Sequence, residues 1–340
     1  MLYHEWCAAG FYLLSILEIM KGFINNALFF IIPFVIYSML IAFIDPFNYL
    51  NGFGITSEEK RKAIAQDIEP HLYKLIAFQN EPKKKWVLGD SRSNGLYHAM
   101  DKETWSNLAY GGASLKEVVQ SFWWATAIET PDTVLIGINL NLYNKYNKRF
   151  WVEETISRKS NFFNYAFNKY TFSATVGIAG SFANFEELNS PEAEDSGIEE
   201  KVTKGEYWYK KLSETDKFFK NISYPDEYFE QLEEISTYCK KKGIKLIFWI
   251  PPLHKDYHDI LKKYQLKKFE DKFRSDLQTF GDVFDFNYIS KLTREEQNFR
   301  DPVHFNARIA REIEKEIRNY SPLYSILYTH KKENQGNEES

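Results

Sequence analysis

Apolar positions along the chain fall into three regimes. From Phe23 to Ile44 the chain reads FINNALFFIIPFVIYSMLIAFI, 22 residues without a charge. A bilayer-spanning helix needs about 20 such residues. Pro33 lies inside the run, which membrane helices tolerate. Lys21 precedes it and Asp45 follows, a bias that places the N-terminus inside and the rest of the chain outside. A cleaved signal peptide is the rival reading, but no A-x-A site precedes Asp45. Residues 1–22 then form a cytoplasmic stub, or a mis-assigned start with Met20 as the true one.

Residues 45–84 form a helical linker, in which Thr56 or Ser57 caps TSEEKRKAIAQ and Glu58 and Glu59 fill the first turn. From Lys85 onward, short apolar runs alternate with amphipathic segments. KWVLGD, PDTVLIGINL, IKLIFWIPP and GDVFDF read as buried strands. PDEYFEQLEEISTYCKKKG reads as a helix, with Phe229, Leu232, Ile235 and Cys239 at helical spacing and Gly243 as its C-cap. FNARIAREIEKEIRNY closes the series as a last helix. Strands alternating with helices predict a parallel sheet covered on both faces, with ligands at the carboxyl ends of the strands. The domain should cover 85–322. Between about 160 and 221 the rhythm breaks into aromatic-rich NFFNYAFNKYTFS and acidic NSPEAEDSGIEEK, read as an insertion and candidate lid or as an ordinary extra helical layer. Residues 323–340 read as a disordered tail.

Composition changes this picture little. The 43 basic and 47 acidic residues give a net charge of -4, so there is no electrostatic case for nucleic acid. Cys7 and Cys239 lie on opposite sides of the apolar run and are not expected to pair. No Cys/His cluster calls for zinc, and no cofactor motif is present. His254 and His258 stand four apart, but without a supporting carboxylate motif no metal is expected.

The candidate chemistry starts in WVLGDSRSNGL. Ser91 ends the first strand, where a hydroxyl is either a helix cap or a nucleophile needing a base. His304 in DPVH, three residues after Asp301, supplies a base with an orienting acid. NLAYGG puts Gly111 and Gly112 where backbone can approach a ligand closely. Asn139 in GIN ends another strand and can donate to an oxyanion. Arg92 and His254 are candidate substrate contacts, Arg92 for an anionic group, with a structural salt bridge as its other reading.

These four segments, in this order, resemble the four blocks of the SGNH/GDSL hydrolase superfamily over residues 85–320. The resemblance implies a flavodoxin-like three-layer α/β/α fold, here preceded by one transmembrane helix. It implies Ser91 as nucleophile, Asp301 and His304 as acid and base, and an oxyanion hole of the Ser91 and Gly112 N–H groups with the Asn139 amide, Gly111 being the fallback for Gly112. Two positions depart from the common pattern: Leu140 stands where an Asp usually follows the Asn, and Arg92 follows the nucleophile where Leu is common.

A single anchor with an outward domain also resembles extracytoplasmic proteins that acylate alginate, peptidoglycan or teichoic acid beside a multi-spanning membrane-bound O-acyltransferase. The expectation is therefore a cell-membrane, single-pass enzyme that O-acylates (O-acetylates) an envelope glycan or polymer through acyl-Ser91. The alternatives are an esterase or deacetylase acting on a carbohydrate or lipid, and a non-catalytic binding module of the same fold.

Overall fold

The computed structural model describes residues 20–21, 29–147, 150–183 and 204–330. Most of the N-terminal stub, the first part of the expected anchor, the acidic loop and the last ten residues lie outside these. The chain divides into two compact units. One takes residues up to Pro70 together with a segment from Arg158, and the other takes His71–Ser157 and the remainder.

In the larger unit, α1 (Pro70–Asn80) leads into β1 (Lys85–Leu88), α2 (Ser91–Tyr97), β2 (Trp105–Asn107), α3 (Leu115–Thr126) and β3 (Thr133–Gly137). After α4 (Lys204–Lys220) come α5 (Glu227–Lys242), β4 (Lys245–Ile250), α6 (Lys255–Lys263), α7 (Lys267–Phe280) and β5 (Asp282–Asp285). A short pair, β6 (Phe299–Asp301) and β7 (His304–Phe305), precedes α8 (Ala307–Asn319) and the edge strand β8 (Ile326–Tyr328). The sheet order is β2-β1-β3-β4-β5-β8, with β8 antiparallel and every other pairing parallel.

Period-two alternation splits the strand side chains between two cores. Trp86, Leu88, Val134, Ile136, Phe248 and Val283 meet α3, α5 and α7 on one face. Val87, Leu135, Ile247, Trp249 and Phe284 meet Leu96 of α2 and the Ile309, Ile313, Ile317 stripe of α8 on the other. Both faces are buried, so the strands read as continuous apolar runs rather than as alternating ones. This is the expected three-layer arrangement around a mainly parallel sheet.

Local signals place several ends. Gly243 closes α5 at φ +70°, its N–H donating to the carbonyls of Cys239 and Lys240. Ser114 and Glu117 form a capping box at the start of α3.

One expectation needs correction. The segment after 323 is ordered at least through β8: the buried Glu316 carboxylate accepts from the N–H groups of Leu323, Tyr324 and Ser325 and from the Ser325 hydroxyl. The 160–221 region is divided between the two units. Its first part, through residue 183, belongs to the smaller unit, while α4 belongs to the larger one.

In the smaller unit, residues 29–44 are helical with Pro33 inside the helix. Among the described residues no helix is long and apolar enough to cross a membrane; residues 23–28 of the expected span fall outside them. Ser57 caps the helical stretch that begins at Glu58, and Thr56 Oγ1 donates instead to the Ile44 carbonyl. Asp45 is buried and accepts from the Tyr49 and Leu50 N–H groups and from the Tyr165 hydroxyl at 2.7, 2.9 and 2.9 Å.

Candidate active site

The Gly-Asp-Ser corner is shaped by the lack of side-chain volume beneath it. Gly89 sits at φ +134°, a conformation that favours glycine. A Cβ there would overlap Ser93 Oγ and come within 2.8 Å of the Gly137 carbonyl oxygen. A Cβ on Gly137 would strike the same hydroxyl and approach Trp249 Nε1 at 2.7 Å. Ser93, fully buried, therefore fits between two glycines of adjacent strands and seats the first turn of α2 on the sheet.

Asp90 is the N-cap of α2, its side chain accepting from the Arg92 N–H at 2.9 Å. Ser91 is the first helical residue, a position whose N–H has no partner within the helix.

Ser91 Oγ lies 2.8 Å from His304 Nε2, although 213 residues separate them in sequence. His304 Nδ1 lies 2.7 Å from Asp301 Oδ2. Asp301 Oδ1 accepts from the N–H groups of Val303 and His304 at 2.9 and 3.0 Å. The D-x-x-H spacing works because the carboxylate folds back over its own turn, between β6 and β7. Burial by itself would raise the Asp301 pKa. The hydrogen bond and charge of His304, with the two backbone N–H groups, outweigh it and hold the carboxyl below its ordinary value. An anionic Asp301 on Nδ1 fixes the tautomer that leaves Nε2 free to accept the Ser91 proton.

The other expected donors cluster nearby. Asn139 caps a short 3-10 turn; its Oδ1 accepts from the Asn141 N–H at 3.0 Å and its Nδ2 donates to Asp90 Oδ2 at 2.9 Å. One amide hydrogen is thus committed to Asp90 and the second remains for a ligand. The chain after β2 continues alongside β1, with the Tyr110 N–H donating to the Gly89 carbonyl. The next turn is closed by the Ala113 N–H on the Tyr110 carbonyl at 3.1 Å, and Gly112 takes φ +69° in it. Of the two glycines, Gly112 is the one whose backbone demands glycine.

Arg92 and His254 do not face outward as candidate substrate contacts would. Arg92 is 5 % exposed and forks onto Asp90, with Nη2 2.6 Å from Oδ2 and Nε 3.2 Å from Oδ1. The result is a buried chain, Arg92–Asp90–Asn139, that orients the Asn139 amide; losing one member of such a buried pair costs about 3–5 kcal/mol. His254 is 3 % exposed. It caps α6 through Nδ1, lies edge-on to Trp208 and Phe299, and its backbone N–H donates to the Pro302 carbonyl at 3.0 Å. Burial lowers its pKa, and its backbone bond to Pro302 braces the loop carrying Asp301 and His304 from below.

Lys74 was not legible from sequence. Its ammonium donates to Asn94 Oδ1 and the Ala109 carbonyl at 2.8 and 2.9 Å, tying α2 to the glycine turn, and burial pulls its pKa to about 8.

No protein-family model matches the chain, and no curated protein does. Among solved structures it is similar to one assigned as an acylhydrolase from Bacteroides fragilis, at 12 % identity and TM-score 0.38, covering 78 % of this chain and 97 % of that one. It is similar to one assigned as a platelet activating factor from Streptococcus pneumoniae, at 10 % identity and TM-score 0.38, covering 76 % and 94 %. It is also similar to a GDSL-like lipase from Bacteroides thetaiotaomicron, at 10 % identity and TM-score 0.37, covering 70 % of this chain and 87 % of that one.

Proposed function

We propose that this chain is a serine acyl-transfer enzyme of the SGNH/GDSL type. The observation that carries the reading is the continuous path from Ser91 Oγ through His304 to the Asp301 carboxylate. Ser91 Oγ attacks an ester carbonyl carbon while its proton passes to His304 Nε2, and Asp301 stabilises the imidazolium. The developing oxyanion is met by the Ser91 and Gly112 N–H groups and the second Asn139 amide hydrogen. One such donor is worth about 3–4 kcal/mol in the transition state. The ester C–O bond breaks, the alcohol leaves with the proton from His304, and acyl-Ser91 remains. A second hydroxyl then attacks the acyl carbon as His304 takes its proton, the acyl C–Oγ bond breaks, and the proton passes from His304 to Oγ to regenerate Ser91.

The finer reading is O-acylation, foremost O-acetylation, of an extracytoplasmic glycan or envelope polymer. The uncharged run at 23–44 would hold the enzyme at the membrane, beside a multi-spanning O-acyltransferase that supplies the acyl group. Its test is intact-mass analysis after incubation with an activated acetyl ester. Acetyl on the Ser91 peptide, discharged faster when an envelope oligosaccharide is added and found on that sugar, is the expected result. Discharge to water at an unchanged rate would make the enzyme an esterase. No acyl-Ser91 under any condition would leave only a binding module.

Orientation is tested separately. Protease added outside spheroplasts should degrade the chain beyond about residue 47, and protection until the membrane is opened would reverse the topology.

A further inference from the structure

The smaller unit brings the 161–183 segment back onto the helix at 29–44. Phe162 packs on Tyr49 with ring centroids 6.2 Å apart, and the Tyr165 hydroxyl reaches Asp45. One turn further on, Phe167 lies against Tyr37 and Phe34 at 5.1 and 6.1 Å, and the Tyr37 hydroxyl donates to the Ala166 carbonyl at 2.8 Å. The chain then reverses at Asn168. Phe172 is still beside Tyr37 at 6.3 Å, whereas at the far end Phe182 lies under the Lys60 ammonium and Gly177 approaches Ile64. The two helices Phe162–Ala166 and Lys169–Ala183 thus form a hairpin that runs along the 29–44 helix away from Asp45 and returns.

Depth follows from helix geometry. If 23–44 spans the bilayer with Asp45 at its boundary, Tyr37 and Phe34 lie about 12 and 16 Å inside it, at 1.5 Å per residue. Whatever packs on them lies at the same depth. We infer that the 162–176 hairpin is a re-entrant element whose Phe167–Asn168 tip sits in the hydrocarbon of the bilayer, its occupant being lipid acyl chains. This inference rests on the anchor reading above.

Two features fit that solvent. The large outward side chains are apolar: Phe163 is 67 %, Phe172 52 % and Val176 54 % exposed, continuing the exposed Phe30, Phe34, Ile36 and Phe43 of the long helix, while the polar groups exposed among them are Ser173 and Lys169, the latter with its ammonium over the Tyr170 ring. Residues 160–183 contain no acid and one cation, Lys169. The polar backbone at the tip is also satisfied from within, as hydrocarbon requires. Asn168 Nδ2 donates to the Asn164 and Tyr165 carbonyls at 3.0 and 2.7 Å, and its Oδ1 accepts from the Tyr170 and Thr171 N–H groups at 3.0 Å each. One side chain closes the end of one helix and the start of the next.

The test uses the wild-type full chain in liposomes and a carbene-generating aryl diazirine that partitions into acyl chains, with labelled peptides mapped by mass spectrometry. Label on peptides from both 29–44 and 162–176, and none on β4 or α8, is the expected pattern. Label on 29–44 alone would overturn the re-entrant hairpin and leave the anchor standing. Label on neither would overturn the anchor, and the hairpin with it.

Discussion

Replacing Ser91 or His304 with alanine should each abolish acyl release, by a factor on the order of 10⁶ where chemistry limits the rate. Ser91 Oγ is the atom that would carry the acyl group, and His304 Nε2, 2.8 Å away, is the acceptor for its proton. The two act as a unit, so the double variant should be no worse than either single one. The measurement is p-nitrophenol release from p-nitrophenyl acetate, together with fluorophosphonate labelling of the serine, on variants matched for folding by circular dichroism. Labelling that survives in Ser91→Ala would place the nucleophile elsewhere. More than a tenth of the wild-type rate in His304→Ala would displace the base.

Asp301→Asn should cost a smaller but still large factor, up to about 10⁴ in turnover. The amide keeps the volume and can still accept from the Val303 and His304 N–H groups. It removes the anion on Nδ1 and favours the tautomer whose Nε2 already carries a proton. The pH dependence follows from the lowered carboxyl pKa. A group whose folded pKa is depressed contributes stability that is complete above its unfolded pKa, near 4, and is lost only as pH falls through the folded value. An acid limb in the wild-type rate above pH ~5 therefore belongs to another group, and such a limb titrating with Asp301 would contradict the geometry. His254→Ala serves as the contrast. Its ring caps α6 and packs edge-on against Trp208 and Phe299, while the bond to the Pro302 carbonyl is made by its backbone and survives the change, so the variant should lower thermal stability more than it changes turnover at low temperature.

The sheet was readable because its inner strands are buried on both faces. KWVL, TVLIG, KLIFWI and DVFD stand out as apolar runs that a two-sided cover explains. β2, β6 and β7 were not readable, since two or three residues carry no period and are defined by their neighbours. The Ser91–His304–Asp301 contact chain was legible as order and spacing, because D-x-x-H closes a ring within one turn. The fates of Arg92 and His254 were not. Each has a polar group whose partner, Asp90 or the Pro302 carbonyl, becomes available only once the loop folds. The aromatic stretch after Asn161 showed no helical period because a five-residue helix is broken from a fifteen-residue one at Asn168, and each half has a different face to cover.

The two glycines under Ser91 have a consequence for how this corner tolerates variation. Gly89, Ser93 and Gly137 share one small space, filled by a single hydroxymethyl group. Enlarging any one of them has nowhere to go unless another shrinks, and neither glycine has a side chain to give up. Substitutions at these positions are therefore not independent events whose costs add. The three residues form a single unit of variation, interlocked like a keystone and its two neighbours, and a larger residue beside Ser93 calls for a smaller one at Ser93 itself.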